Sequence, residues 1–207
     1  MRASPLLVPT LLTLTLAACG DAPAGITAPD AEPAKAALVP VCVDFSVPAL
    51  GATAGGTAGN LPGDLWFTES LIPVTLRTFH HPPGFGTTFG DATVLGAFVT
   101  FGSGQIVNTN NINLGFDFSG IGFVPSSVTF QWRDYGGYEN LRVNGSGIYV
   151  GELTGAPSPI GGATVSHVWG WSPGNNYKQG TTTLTGPVSI LGIGGQEFYL
   201  DNVCANP

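Results

Sequence analysis

Charge is the scarcest feature of this sequence. Lys and Arg number 6 and Asp and Glu 13 among 207 residues, so charged residues reach only 9%, where an average soluble domain carries roughly 25%. Six cations cannot neutralise a phosphate track, and a formal net charge of −7 opposes one, which excludes nucleic acid as a partner. Helical apolar periodicity is also missing: no segment sustains it for three turns. Familiar catalytic and cofactor signatures are lacking as well. The chain has no G-x-S-x-G, no H-E-x-x-H, no phosphate-binding glycine loop and no EF-hand loop. It shows neither an internal repeat nor a second domain.

What the chain does have is apolar, small and turn-forming. Apolar residues make up 43%, and 12 Phe with 4 Trp supply large core pieces. The 31 Gly and 17 Pro punctuate the text from Val41 onward every eight to twelve residues or so, the rhythm of an all-β sandwich or barrel. Abundant Thr, Ser, Asn and Gly at low charge density suit an exported protein that meets neutral polymers.

The N-terminus reads as an export signal. Arg2 precedes an apolar run from Leu6 to Leu16 and then Ala17-Ala18-Cys19-Gly20. The run is far shorter than the ~20 residues a membrane-spanning helix needs. Leu16-Ala17-Ala18-Cys19 resembles the bacterial lipobox. That resemblance implies a signal peptide over 1–18 and lipidation of Cys19, with acyl chains at about 0.8 kcal/mol per buried CH₂ holding the protein to a membrane. The expected location is the bacterial cell envelope or cell surface, the outer membrane in a Gram-negative cell, with the lipid as the sole membrane contact. Residues 19–40, rich in Ala and Pro, form the expected tether.

Two cysteines remain, Cys42 at the first strand of the 41–204 domain and Cys204 at the last. Export places them in an oxidising compartment, and neither has a basic neighbour to activate a thiol, so a disulfide between adjacent terminal strands is expected. Expected strands run over 41–45, 65–68, 74–79, 94–101, 112–118 and 128–133, then 140–143, 148–149, 164–169, 181–185, 188–193 and 197–203. Ile112, Leu114, Phe116 and Phe118 line one face of a period-two strand, with Asn113 and Asp117 on the other. About ten to twelve strands predict an antiparallel two-sheet β-sandwich, a jelly roll.

Val43-Asp44-Phe45 opens the domain and Tyr199-Leu200-Asp201-Asn202-Val203 closes it. These ends resemble bacterial carbohydrate-binding-module-like and galactose-binding-like jelly rolls. The resemblance implies neighbouring terminal strands and a structural Ca²⁺ near Asp44, Asp201 and Asn202. Ser46 stands where the "DFE" form of the first strand has an acid, which removes one ligand. In regular register Asp44 and Asp201 take opposite faces, so one ion reaches both only if a bulge or strand end breaks the alternation.

The aromatic residues supply the main functional lead. His167, Trp169 and Trp171 share one parity and lead into a Gly/Asn-rich loop ending at Tyr177. Two indoles at i and i+2 beside amides offer a platform on which sugar rings stack. Tyr135 and Tyr138 flank Gly136-Gly137 as a second candidate loop. Asp134 and Glu139 bracket the same turn and could be arranged as a glycosidase pair, which needs a defined separation. His80 and His81 are adjacent, point to opposite sides of a strand and have no third ligand, so zinc is not expected. The leading expectation is a non-catalytic envelope-anchored module for carbohydrate or another extracellular polymer. A structural or adhesive envelope lipoprotein with a protein partner is the second reading, and a glycoside hydrolase or polysaccharide lyase the third.

Overall fold

Alternation of apolar and polar residues sets the strands, and burial follows it closely. Ile112, Leu114, Phe116 and Phe118 are all buried, as are Val128, Phe130 and Trp132. The computed structural model describes residues 38–98, 100–172, 174 and 176–207. The expected signal peptide (1–18), the lipidation site Cys19 and all of the tether before Leu38 lie outside the described residues.

In chain order the strands are β1 (Val41–Val43), β2 (Thr53–Gly55), β3 (Leu65–Glu69), β4 (Ile72–His80), β5 (Thr87–Thr88), β6 (Asp91–Phe98), β7 (Phe101–Asn110) and β8 (Ile112–Asp117). They continue with β9 (Ser127–Asp134), β10 (Glu139–Val143), β11 (Tyr149–Gly151), β12 (Thr164–Trp171), β13 (Lys178–Thr185), β14 (Ile190–Gly195) and β15 (Phe198–Asn206). The only helical element among the described residues is a 3₁₀ turn at Leu153–Gly155.

These strands form two antiparallel sheets. One has the order β12-β13-β9-β15-β7-β6-β2, with β1 also paired to β15; the other runs β11-β10-β14-β8-β4-β3, with β5 on β4. The protein is a two-sheet β-sandwich. Side chains from both sheets fill the space between them. Trp132 stacks on Phe198 at 6.5 Å, and Phe45 meets Phe67 and Phe116 edge-on. Trp132 Nε1 donates to Thr182 Oγ1 at 2.9 Å, so the largest core ring keeps its one donor satisfied.

Cys42 lies directly opposite Cys204 in the β1–β15 ladder. The two are disulfide-bonded with Cα atoms 4.0 Å apart, which joins the first and last strands of the fold as expected. Just before this bond, the register of β15 against β9 shifts between Asp201 and Cys204, and Asn202 takes φ +49°. One extra residue on β15 is a β-bulge. It moves Val203 and Ala205, rather than Asn202, into the core and leaves Asp201 and Cys204 on the outer face.

The structure has more strands than the sequence suggests. β2, β5 and β7 were not anticipated, and the expected strand 94–101 is instead a hairpin in which Phe98 pairs with Phe101. The first half of β7, Gly102-Ser103-Gly104-Gln105, carries no apolar signal. It pairs all the same because its backbone completes the ladder between β6 and β15.

Candidate functional site

β12 is an edge strand, paired only with β13. Its register against β13 places His167, Trp169 and Trp171 opposite Thr182, Gly180 and Lys178. That is the core-facing parity, because Thr182 and Gly180 lie in turn beside Phe130 and Trp132. Near its start β12 does pack inward, with Val165 against the core. Further along the strand the side chains open to solvent: Trp169 is 44% exposed and Trp171 61%. Gly180 permits the approach of Trp169, because a Cβ there would stand 2.6 Å from the Trp169 Cβ.

His167 takes a different role from the two indoles. Its Nδ1 lies 2.9 Å from Thr182 Oγ1, the same oxygen that receives the Trp132 indole N–H. Burial lowers its pKa, which favours the neutral ring. His167 therefore ties β12 to the core beneath the exposed indoles.

Beside Trp169 lies an open groove of about 570 Å³, lined by Thr100, Phe101, Gln131, Val168, Gln179 and Thr181 among others. Val168, Thr181 and Gln131 sit in one row across β12, β13 and β9 on the outer face. The groove thus combines apolar surface with two amides and two hydroxyls, groups that can both donate to and accept from a polyhydroxylated ligand.

One wall of this region rests on Arg133, which no sequence signal singles out. Its guanidinium lies 4.3 Å from the Tyr177 ring centroid, 4.5 Å from Phe98 and 5.1 Å from Phe101. It also donates to Thr100 Oγ1 and Gln179 Oε1, each at 2.9 Å. A cation only 3% exposed is held here by aromatic faces and neutral acceptors. Tyr177 is buried in this arrangement, with its ring against Arg133 instead of solvent. Tyr135 and Tyr138 are about half exposed. Tyr135 packs on Tyr177 and Tyr199 and borders a separate shallow groove with Asn111 and Gln196.

Two carboxyl pairs lie outside the grooves. Asp134 ends β9 and Glu139 begins β10, so the intervening turn crosses from one sheet to the other and brings the two acids together. Oxygens of Asp134, Glu139 and Glu152 lie within 4.8 Å of one another. Burial, reinforced by the Asp134 charge, pushes the Glu139 pKa up to about 8. At neutral pH this favours the protonated form of Glu139, while Glu139 Oε2 accepts from Leu153 N at 2.8 Å and Glu139 Oε1 is buried without a partner. Lys178 pairs with Glu152 and lies 5.1 Å from the Trp171 ring, which links this cluster to the aromatic edge.

The second pair is Asp44 with Glu69, at the end of β3. Burial and a hydrogen bond with Asp44 raise the Glu69 pKa, and the same hydrogen bond lowers that of Asp44. Glu69 Oε1 accepts from Ser46 Oγ at 2.9 Å, while Glu69 Oε2 is buried without a partner. Glu69, 25 residues from Asp44, also accepts from the Asp44 N–H. Gln105 Nε2 donates to Ser46 O, and Gln105 Oε1 is likewise buried and unpartnered. The bulge on β15 brings Asp201 close enough for the Asp44 charge to act on it. Asp201 Oδ2 accepts from Ser103 N at 2.7 Å, near the start of β7, and from Asn202 Nδ2 at 2.9 Å. Burial raises the Asp201 pKa to about 6.

No known protein family, curated protein or solved structure matches this chain. Its function is therefore read from the two exposed indoles, the polar groove beside them and the two acid pairs.

Proposed function

We propose that this protein is a non-catalytic binding module for carbohydrate or a related extracellular polymer, held to the bacterial cell envelope through Cys19. The observation that carries the reading is the exposure of Trp169 and Trp171 on an edge strand, with Trp169 also bordering the outer-face groove that bears Gln131, Gln179, Thr100 and Thr181. Large apolar rings left in water at an edge are costly unless a partner covers them. Sugar rings present the apolar C–H faces and hydroxyls that such a surface complements. The acid pairs favour binding over hydrolysis. Oxygens of Asp134 and Glu139 lie within 4.8 Å of each other and both residues are buried, whereas the two acids of a glycosidase stand roughly 5–9.5 Å apart across the scissile bond.

Glycan-array screening of the full chain tests this reading. At least one neutral polysaccharide is expected to bind, and Trp169→Ala with Trp171→Ala to weaken that binding about ten- to a hundredfold, at ~0.5–1.5 kcal/mol per stacked ring. An array without hits, or hits unaffected by the double substitution, would overturn the reading.

We also propose a structural Ca²⁺ beside the terminal strands, held by Asp44, Glu69 and Gln105. Its support is two buried oxygens without donors, Glu69 Oε2 and Gln105 Oε1, on residues that both hydrogen-bond to Ser46. Such oxygens suit a hard cation. When bound, Ca²⁺ supplies the charge that lets both carboxylates ionise. Asp201 and Asn202 stay engaged with each other and with Ser103. Saturating Ca²⁺ at about a hundred times its Kd adds ~2.7 kcal/mol, or roughly 5–10 °C in the melt of a domain this size. The shift is expected to reverse with EDTA and to vanish in Glu69→Gln. An identical melt in Ca²⁺ and EDTA would remove the ion from the account.

A further inference from the structure

The outer face of the seven-stranded sheet holds a second groove, far from the aromatic edge in register and different in chemistry. Its volume is about 450 Å³, within the ~300–1,000 Å³ typical of small-ligand sites. Pairing across β10, β14, β8 and β4 sets Arg142, Gly192, Gly115 and Thr75 in one row. Asn140, Gly194, Asn113 and Arg77 form the next. Glycine thus fills both middle positions of the first row and one of the second, on strands whose opposite faces are fully buried.

The glycines form a trough. A Cβ at Gly192 would meet nothing but Arg142, at 3.5 Å, so the space above it is open. At Gly115 a Cβ would stand 3.0 Å from Arg77 Nε, so the Arg77 side chain leans inward over the floor. Larger residues at these two positions would fill the trough or displace the arginine. Glycine inside a strand weakens it, and close approach of another group is the usual reason it is found there.

The trough is also where the cations gather. The residues from 38 onward contain four Lys or Arg, namely Arg77, Arg133, Arg142 and Lys178. Arg133 is enclosed by aromatic rings, and Lys178 forms with Glu152 the only ion pair among the described residues. Arg77 and Arg142 are exposed, border the trough from opposite sides and have no carboxylate partner there. Asp64 and Asp117, the acids on the neighbouring segments, are turned to their own backbone and accept from Leu61 N and Ser119 N. Arg77 Nε donates to Thr75 Oγ1, and Arg142 donates to Ser146 O and Gly145 O. These bonds fix where both side chains lie.

The floor beneath them is rigid. Asn140 exchanges two hydrogen bonds with the His80 backbone, and Asn113 Nδ2 donates to both Asn140 Oδ1 and Thr78 O. This chain fixes both amides and leaves buried Asn113 Oδ1 without a donor. Two guanidiniums without carboxylate partners on either side of a glycine floor, in a protein otherwise poor in cations, have the chemistry that receives an oxyanion.

We propose that this trough binds the charged unit of an acidic saccharide, its carboxylate or sulfate received by Arg77 and Arg142. The saccharide half of the assignment rests on the polymer-binding reading above, and the oxyanion half on the trough alone. The two sites lie on different sheets, so one chain engages a neutral stretch at the aromatic edge and an acidic unit at the trough.

Affinity electrophoresis of the full chain in gels containing a polyuronate, a sulfated glycan or a neutral glucan separates the possibilities, with inorganic sulfate as a soluble competitor. Retardation by the polyuronate or the sulfated glycan is expected, weakening as salt rises; whichever retards identifies the oxyanion. Arg77→Ala is expected to reduce it about tenfold or more, the worth of a charged hydrogen bond, and Arg142→Gln to act likewise. Arg77 is exposed and its side chain donates to an exposed-face threonine hydroxyl instead of to the core, so its variant is expected to keep the parent melt. Trp169→Ala with Trp171→Ala is expected to leave this retardation intact while removing any neutral-glucan binding, which keeps failures of the two sites apart. The trough assignment is overturned if neither charged polymer retards the chain or if Arg77→Ala migrates as the parent does. Inorganic sulfate competing as well as the polymer, unit for unit, would equally refute a saccharide site.

Discussion

Reduction of the Cys42–Cys204 disulfide, or its replacement by Cys42→Ser with Cys204→Ser, lowers unfolding stability by about 3–5 kcal/mol. The bond spans a sequence separation of 162, nearly the whole folded body. Removing it releases an open chain whose extra conformations favour the unfolded state. In the native state the two cysteines already oppose each other in a β-ladder, so little native structure changes when the bond is lost. The melt is expected to fall by roughly 8–15 °C in reductant. Denaturant titrations of oxidised and reduced protein provide the measurement. Coincident curves would mean that β1 is held by its ladder alone.

The second large effect is a loss of stability as pH rises, centred on Glu139. Its folded pKa of about 8 stands above the ordinary value of 4.5 because the group is 1% exposed and faces Asp134. Between those values the folded state binds a proton that the unfolded state has released. The contribution is therefore complete below about pH 4.5 and gone above about pH 8. Integrated over that window it amounts to roughly 3–5 kcal/mol. Glu139→Gln keeps the shape and cannot ionise, so above pH 8 it is expected to be more stable than the parent and nearly free of the slope. Chemical unfolding at a series of pH values distinguishes the two chains. Parallel profiles for parent and variant would show that Glu139 is ionised in the native state. Asp201, raised to about 6 by burial, adds a smaller slope of the same sign at lower pH.

Much of this architecture was legible in the sequence because it depends on period two. Strands such as β8 and β9 announce themselves through Ile112-x-Leu114-x-Phe116 and Val128-x-Phe130-x-Trp132, and the shared parity of His167, Trp169 and Trp171 holds in the structure. Cysteine position alone was enough to anticipate the disulfide, once export was read from the N-terminus. The unpredicted parts depend on long-range neighbours. β7 begins in glycine and serine and becomes a strand only because β6 and β15 flank it. Glu69 joins Asp44 from 25 residues away, and Arg133 finds its three rings on three other segments. Parity alone does not decide exposure at the edge: the register puts both indoles on the core-facing side of β12, and only the three-dimensional arrangement leaves them in water. The bulge at Asn202, which the motif Leu200-Asp201-Asn202-Val203 does not reveal, decides which side Asp201 takes.

The central claim is that Trp169 and Trp171 are a binding surface, and their fluorescence tests it most directly. Of the four tryptophans, Trp132 is buried, Trp66 is partly covered, and Trp169 and Trp171 face solvent. Quenching by iodide should therefore fall sharply, with a blue shift in emission, when the full chain is saturated with a polysaccharide it binds. The Trp169→Phe, Trp171→Phe chain should show neither change. Binding that leaves iodide access to both indoles unaltered would contradict the account.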